Sequence, residues 1–232
     1  MTNIQIAWEG LANAMRLYTE SKFRFQELLK VDREEAINNM DRAFEAKLEK
    51  FHALYDVTKK LAGFGYFGHG DTSLVVVLRN ALHHRDHSLF VSWNARIGLD
   101  DGARRLAGAE FLLASVTPEA QETTTRFYFL LYDFYACLAN PRIQNPAALR
   151  ALWDIELQFA RMTQEAAEHG YPESQVYVDV MPAFMAAVRR VCGWLEASGF
   201  QPRGFDGDTY FEHFRNLTLP EEFGYKRLRL PA

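Results

Sequence analysis

Asp71-Thr72-Ser73-Leu74-Val75-Val76-Val77-Leu78-Arg79-Asn80-Ala81-Leu82-His83-His84-Arg85-Asp86-His87 is the stretch on which the fold class turns. Residues 74–78 are apolar and β-branched, which suits a buried strand or a buried helix equally. Asp71, Thr72 and Ser73 are helix-capping residue types, and residues 79–84 follow with no turn signal. The stretch therefore reads as a helix from 74 to about 87. Just upstream, Gly63, Gly65, Gly68 and Gly70 fall within eight residues. Each costs about 1 kcal/mol in a helix relative to alanine, so the chain must break there.

Working outward, Ile4, Trp8, Leu11, Met15 and Tyr18 repeat by four and three, and Phe25 and Leu29 continue that stripe. Asp32 followed by Glu35 is a helix-start pattern. Ile37, Met40, Phe44, Leu48, Phe51, Tyr55 and Thr58 then form a second stripe, up to Leu61. Two such helices with a very short link are expected to pack antiparallel. Downstream, Leu89, Val91 and Trp93 alternate with Phe90, Ser92 and Asn94, ahead of a turn signal at Asp100-Asp101-Gly102 and an apolar run at 111–116. This predicts a β-hairpin over about 88–116. Helices resume after Pro118. The aromatic segment 127–139 fills the core, a helix starting at Pro146 runs to about His169-Gly170, and another covers 177–197. The expected fold is mainly α, a multi-helix bundle with a small β-hairpin insertion, with residues 1–199 as one domain and 200–232 as a tail draped over it.

Composition excludes several classes. The chain has 232 residues, 48% hydrophobic and 24% charged, which is a globular balance. No apolar run approaches the ~18–20 residues needed to cross a bilayer, and no signal-peptide pattern opens the chain. Cys137 and Cys192 sit in helical patterns and read as buried thiols, so a cytoplasmic setting is expected. Net charge is −4, from 26 basic and 30 acidic side chains, but the excess acid lies wholly in residues 117–199. The histidine-rich region is balanced, so a local anion-binding face remains open to it.

Three constellations invite chemical readings. Gly63-x-Gly65-x-x-Gly68 matches a dinucleotide-binding spelling, but a helical pattern precedes it and Phe64, Tyr66 and Phe67 crowd it, so it reads as a turn. Glu49-x-x-His52 matches half of a di-iron pattern that needs a second copy, which the chain lacks, so it reads as a solvated helix-face pair. The cluster His83, His84 and His87 with Asp86 could in principle ligate a metal for hydrolysis, but one regular helix cannot bring all three imidazoles to one ion. No metal and no cofactor are expected.

Arg79-Asn80-x-x-x-His84 resembles the signature of HEPN domains, an arginine commonly followed by a polar residue, with a histidine a few residues on. These are small helical bundles, many of them metal-independent endoribonucleases of toxin and anti-phage systems, others non-catalytic RNA or partner binders. The resemblance implies a homodimer with two motifs meeting in a cleft, RNA as ligand, Arg79 and His84 as catalytic residues, and Asn80, His83, Arg85 and His87 along the RNA path. The chemistry suits them. The RNA 2′-hydroxyl serves as internal nucleophile, an imidazole moves the proton, and a guanidinium fork holds the phosphate as charge builds. On an ideal helix Arg79 and His84 point about 140° apart, whereas Arg79 and His83 share a face. The other reading is a helical interaction protein with a structural histidine cluster.

Overall fold

The computed structural model describes residues 2–84, 89–99 and 123–228, with His84 as backbone alone. Helix α1 (Asn3–Val31) opens with a capping box in which Thr2 accepts from the Gln5 N–H while the Gln5 side chain accepts from the Thr2 N–H. Helix α2 (Arg33–Thr58) follows after one residue, Asp32. Its N–H donates to the Leu28 carbonyl, ending α1, and its carboxylate accepts from the Glu35 N–H at 2.9 Å, starting α2. Among the described elements, no other pair packs as extensively as these two. Trp8, Leu11, Phe25, Ile37, Phe44 and Phe51 lie between them and the rest of the core, each at most 1% exposed.

The glycine-rich segment is a turn, with one short 3-10 stretch at Tyr66–Gly68, and leads into α3 (Gly70–His84). The run Leu74, Val75, Val76, Val77 and Leu78 is helical and buried throughout, at 1–5% exposure. A helix apolar on every side belongs in the middle of a bundle. Here α2, α6 (Pro146–Glu156) and α8 (Met181–Ala197) surround it. Packing on all sides outweighs the weak β preference of valine. The polar residues before it serve the neighbours as well as the helix's own first turn, where the Asp71 carboxylate accepts from the Thr72 N–H at 2.6 Å. Asp71 accepts from Arg190 Nε of α8 at 2.9 Å, Ser73 accepts from Trp153 Nε1 of α6 at 3.0 Å, and the Gly70 N–H donates to Glu156 of α6 at 2.7 Å.

Among the described residues, the β structure lies outside the span 88–116 in which the alternation suggested it. Trp93–Gly98 is a short helix, α4, capped by Ser92, whose hydroxyl accepts from the Ala95 N–H at 3.1 Å. Phe90 just before it is buried with φ 61, which breaks an extended strand, and its N–H donates to Asp133 at 2.8 Å. The remainder of that hairpin, residue 88 and residues 100–116, lies outside the described residues. The small sheet joins β1 (Tyr128–Leu130), β2 (Val176–Asp179) and β3 (Tyr225–Arg227), all antiparallel in that order, with Phe129 opposite Val178 and Tyr177 opposite Lys226. Two expected helices are thereby shortened. Segment 127–139 is strand β1 followed by α5 (Leu131–Cys137), and the helix expected from 177 starts at Met181.

Two further departures follow from side-chain chemistry. The helix expected from 146 to 169 divides into α6 and α7 (Phe159–Glu168) at Gln158, whose φ is 60. Residues past 200 include α9 (Phe205–Arg215), held on α1 by Trp8 Nε1 donating to the Gly207 carbonyl and by the Arg16–Asp206 ion pair, both at 2.9 Å. Among the described residues, no helix is long and apolar enough to cross a membrane.

Candidate functional site

The second half of α3 leaves the core. Leu78 is buried, Arg79 and Asn80 are half-buried, and His83 is exposed. Arg79 and His83, four residues apart, present one face to α2 and converge on a single carboxylate, Glu49. Arg79 donates to Glu49 Oε2 through Nε at 2.9 Å and Nη2 at 2.6 Å, and His83 Nδ1 contacts Oε1 at 2.9 Å. Burial opposes ionisation of Glu49, but its bonds to Arg79 and His83 outweigh that and hold its carboxyl below the usual range. These residues, with Glu45, Leu48 and Leu82, line a recess of about 150 Å³.

Sequence reading paired Glu49 with His52, and the structure re-partners both. Glu49 reaches across to α3, while His52 pairs with Asp56 one turn on, at 3.3 Å. Burial and the nearby Arg79 charge lower the His52 pKa. The (i, i+3) spelling of Glu49 and His52 carried no signal of this, because the partner lies thirty residues away in the chain.

Asn80 is turned about 100° from Arg79 around the helix and lines a separate, much larger cleft of about 1320 Å³. The two residues remain linked, since Arg79 Nη1 donates to Asn80 Oδ1 at 3.2 Å. His84 ends α3 one helical turn beyond Asn80, and Arg85 and His87 lie outside the described residues. The structure therefore brings Arg79 and His83 together on Glu49, with Asn80 joined to them through Arg79. Sequence reasoning missed Glu49 as a member of this cluster. Of the cleft's other walls, Tyr55 and the loop 139–145 carried no chemical motif, and Phe67 belongs to the glycine-rich stretch that reads as a turn.

Chemically, the Arg79 fork is satisfied by the Glu49 carboxylate. A bidentate anion is what such a fork recognises. Both cysteines are buried and unbridged, and burial pushes the Cys137 thiol up to about 12. Among the described residues, no three His, Cys, Asp or Glu side chains converge as metal ligands. Comparison with known protein families, with curated proteins and with solved structures finds no match for this chain.

Proposed function

We propose that this protein is a HEPN-like RNA-binding protein that engages single-stranded RNA along the second half of α3. The convergence of Arg79 and His83 on one carboxylate at the exposed end of that helix, with Asn80 bonded to the same guanidinium, carries the reading. An RNA phosphate displaces Glu49 from the Arg79 fork, and His83 and Asn80 supply further polar contacts. His84, from the same HEPN-like stretch, follows one turn after Asn80. A homodimer would set two such faces side by side. Three Arg79 nitrogens are held by Glu49 and Asn80 in the free protein, so a phosphate must displace Glu49 before either binding or cleavage.

The test uses a labelled single-stranded RNA in the presence of a chelator, with affinity followed by fluorescence anisotropy and integrity by gel. Arg79→Ala is expected to weaken binding roughly tenfold, the scale of one lost charge-assisted contact. Glu49→Gln, which releases the guanidinium, is expected to tighten it, with the RNA left intact. Chelator-resistant cleavage that is lost in both Arg79→Ala and His84→Ala would move the reading to an endoribonuclease. Absence of RNA binding by the parent and by Glu49→Gln overturns it.

A further inference from the structure

The larger cleft, about 1320 Å³, exceeds the roughly 300–1,000 Å³ of ordinary small-ligand sites and is open enough for more than one chemical unit. No Asp or Glu is among its described lining residues, and Arg142 is the cation there. Among the described residues, no carboxylate pairs with the Arg142 guanidinium. Three asparagines share the lining, and each has its oxygen committed to the protein. Asn80 Oδ1 accepts from Arg79 at 3.2 Å, Asn140 Oδ1 from the Arg142 N–H at 3.0 Å, and Asn145 Oδ1 from the Ala148 N–H at 3.4 Å. A donor on one side fixes which amide atom is oxygen, so each amide offers its NH2 group as the remaining polar function. Among the described residues, the cleft is thus rich in donors and free of acid. Its apolar surface includes Tyr55 and Phe67, edge to face at 6.3 Å between ring centres, and Phe67 is 45% exposed.

These features together select an anionic ligand rich in acceptors with a flat, stackable part. We propose that the cleft is a binding site for a nucleoside phosphate, either free or as one unit of an RNA strand. Arg142 holds the phosphate, the asparagine NH2 groups donate to base and sugar oxygens, and the exposed Phe67 ring stacks on the base. The identification of the ligand as part of RNA rests on the function proposed above, whereas the nucleoside-phosphate chemistry rests on the lining alone.

Calorimetric titration with uridine monophosphate, with uridine and with a ten-residue oligouridylate separates the possibilities. Uridine monophosphate is expected to bind more tightly than uridine. Arg142→Ala is expected to weaken uridine monophosphate and the oligonucleotide about tenfold, with partial rescue by Arg142→Lys. Arg142 is an exposed loop residue, so circular dichroism of both variants should match the parent. Binding of the mononucleotide without the oligonucleotide supports the cleft assignment and removes RNA as its source. Oligonucleotide binding that depends on Arg79 but not on Arg142 overturns the cleft assignment and leaves the RNA reading standing. No binding of either ligand overturns both.

Discussion

At the residue scale, the polar groups packed along α2 differ sharply in how burial treats them. Lys47 is 1% exposed, with its amine 3.0 Å from Met181 Sδ and over the rings of Tyr18, Phe44 and Phe184. Burial drives its pKa well below the ordinary lysine value, against the attraction of Asp179. Asp41 lies at the junction with α4, where Oδ2 accepts from the Ser92 hydroxyl at 3.0 Å and Oδ1 is buried without a hydrogen-bond partner among the described residues. Burial pushes its carboxyl up to about 7, with Ser92 opposing and Glu45 adding to the rise. An unfolded aspartate loses its proton near pH ~4. Between that value and about 7 the unfolded chain is ionised while the folded protein keeps the proton. The unfolded state then binds fewer protons, so stability falls across this window as pH rises and levels off above it. Asp41→Asn keeps an acceptor for Ser92 and removes the titration. It is expected to raise stability at pH 8 by on the order of 2 kcal/mol and to have little effect at pH 4, as thermal unfolding across pH would measure. Equal shifts at both pH values would refute this account.

At the element scale, Gln158 explains why a continuous apolar stripe becomes two helices. Its left-handed backbone interrupts α6 and α7, and its side chain gathers the C-terminal segment. Nε2 donates to the Glu221 carbonyl at 2.8 Å, while Oε1 accepts from Arg161 and from the Phe223 N–H at 3.2 Å. Phe223 and Glu221 lead into β3, so this one side chain anchors the edge strand of the sheet. Gln158→Ala is expected to cost roughly 1–2 kcal/mol, the scale of two or three partly exposed hydrogen bonds. Faster amide exchange at Tyr225–Arg227 should accompany it, and unchanged exchange there would contradict the role. The strands of this sheet have three or four residues each. Too few residues alternate in them for a period of two to emerge from the sequence. The opposite error occurred at 89–93, where a short alternation reads as a strand but the Ser92 cap and the turn at Phe90 start a helix.

At the scale of the whole molecule, α3 is the buried helix around which α2, α6 and α8 pack. Its first turn is polar yet buried, with Asp71 at 3% and Ser73 at 0% exposure. Burial raises the Asp71 pKa, while the Arg190 charge and hydrogen bonds resist the rise. Arg190→Leu leaves that carboxylate buried without its cation and is expected to cost about 2–4 kcal/mol. Adding Asp71→Asn should recover part of the loss, and a denaturant-unfolding cycle over the two single variants and the double variant measures the coupling. Strict additivity would show that the pair does not couple α3 to α8.

The sequence by itself determined the helical class, the one-residue link at Asp32, the break at the glycines and the proline start of α6. Each depends on chemistry within a few residues, namely an apolar period, a capping oxygen, a flexible backbone or a fixed φ. It also marked Arg79, Asn80 and His83 as neighbours on one stretch. Only the tertiary structure decided that Glu49 sits between Arg79 and His83, that Asn80 turns to a separate cleft with Arg142, and that residues near 129, 178 and 225 form one sheet. Those pairings join segments far apart in the chain. They form because burying the helix faces around α3 brings the segments together, and no local pattern encodes which partner arrives.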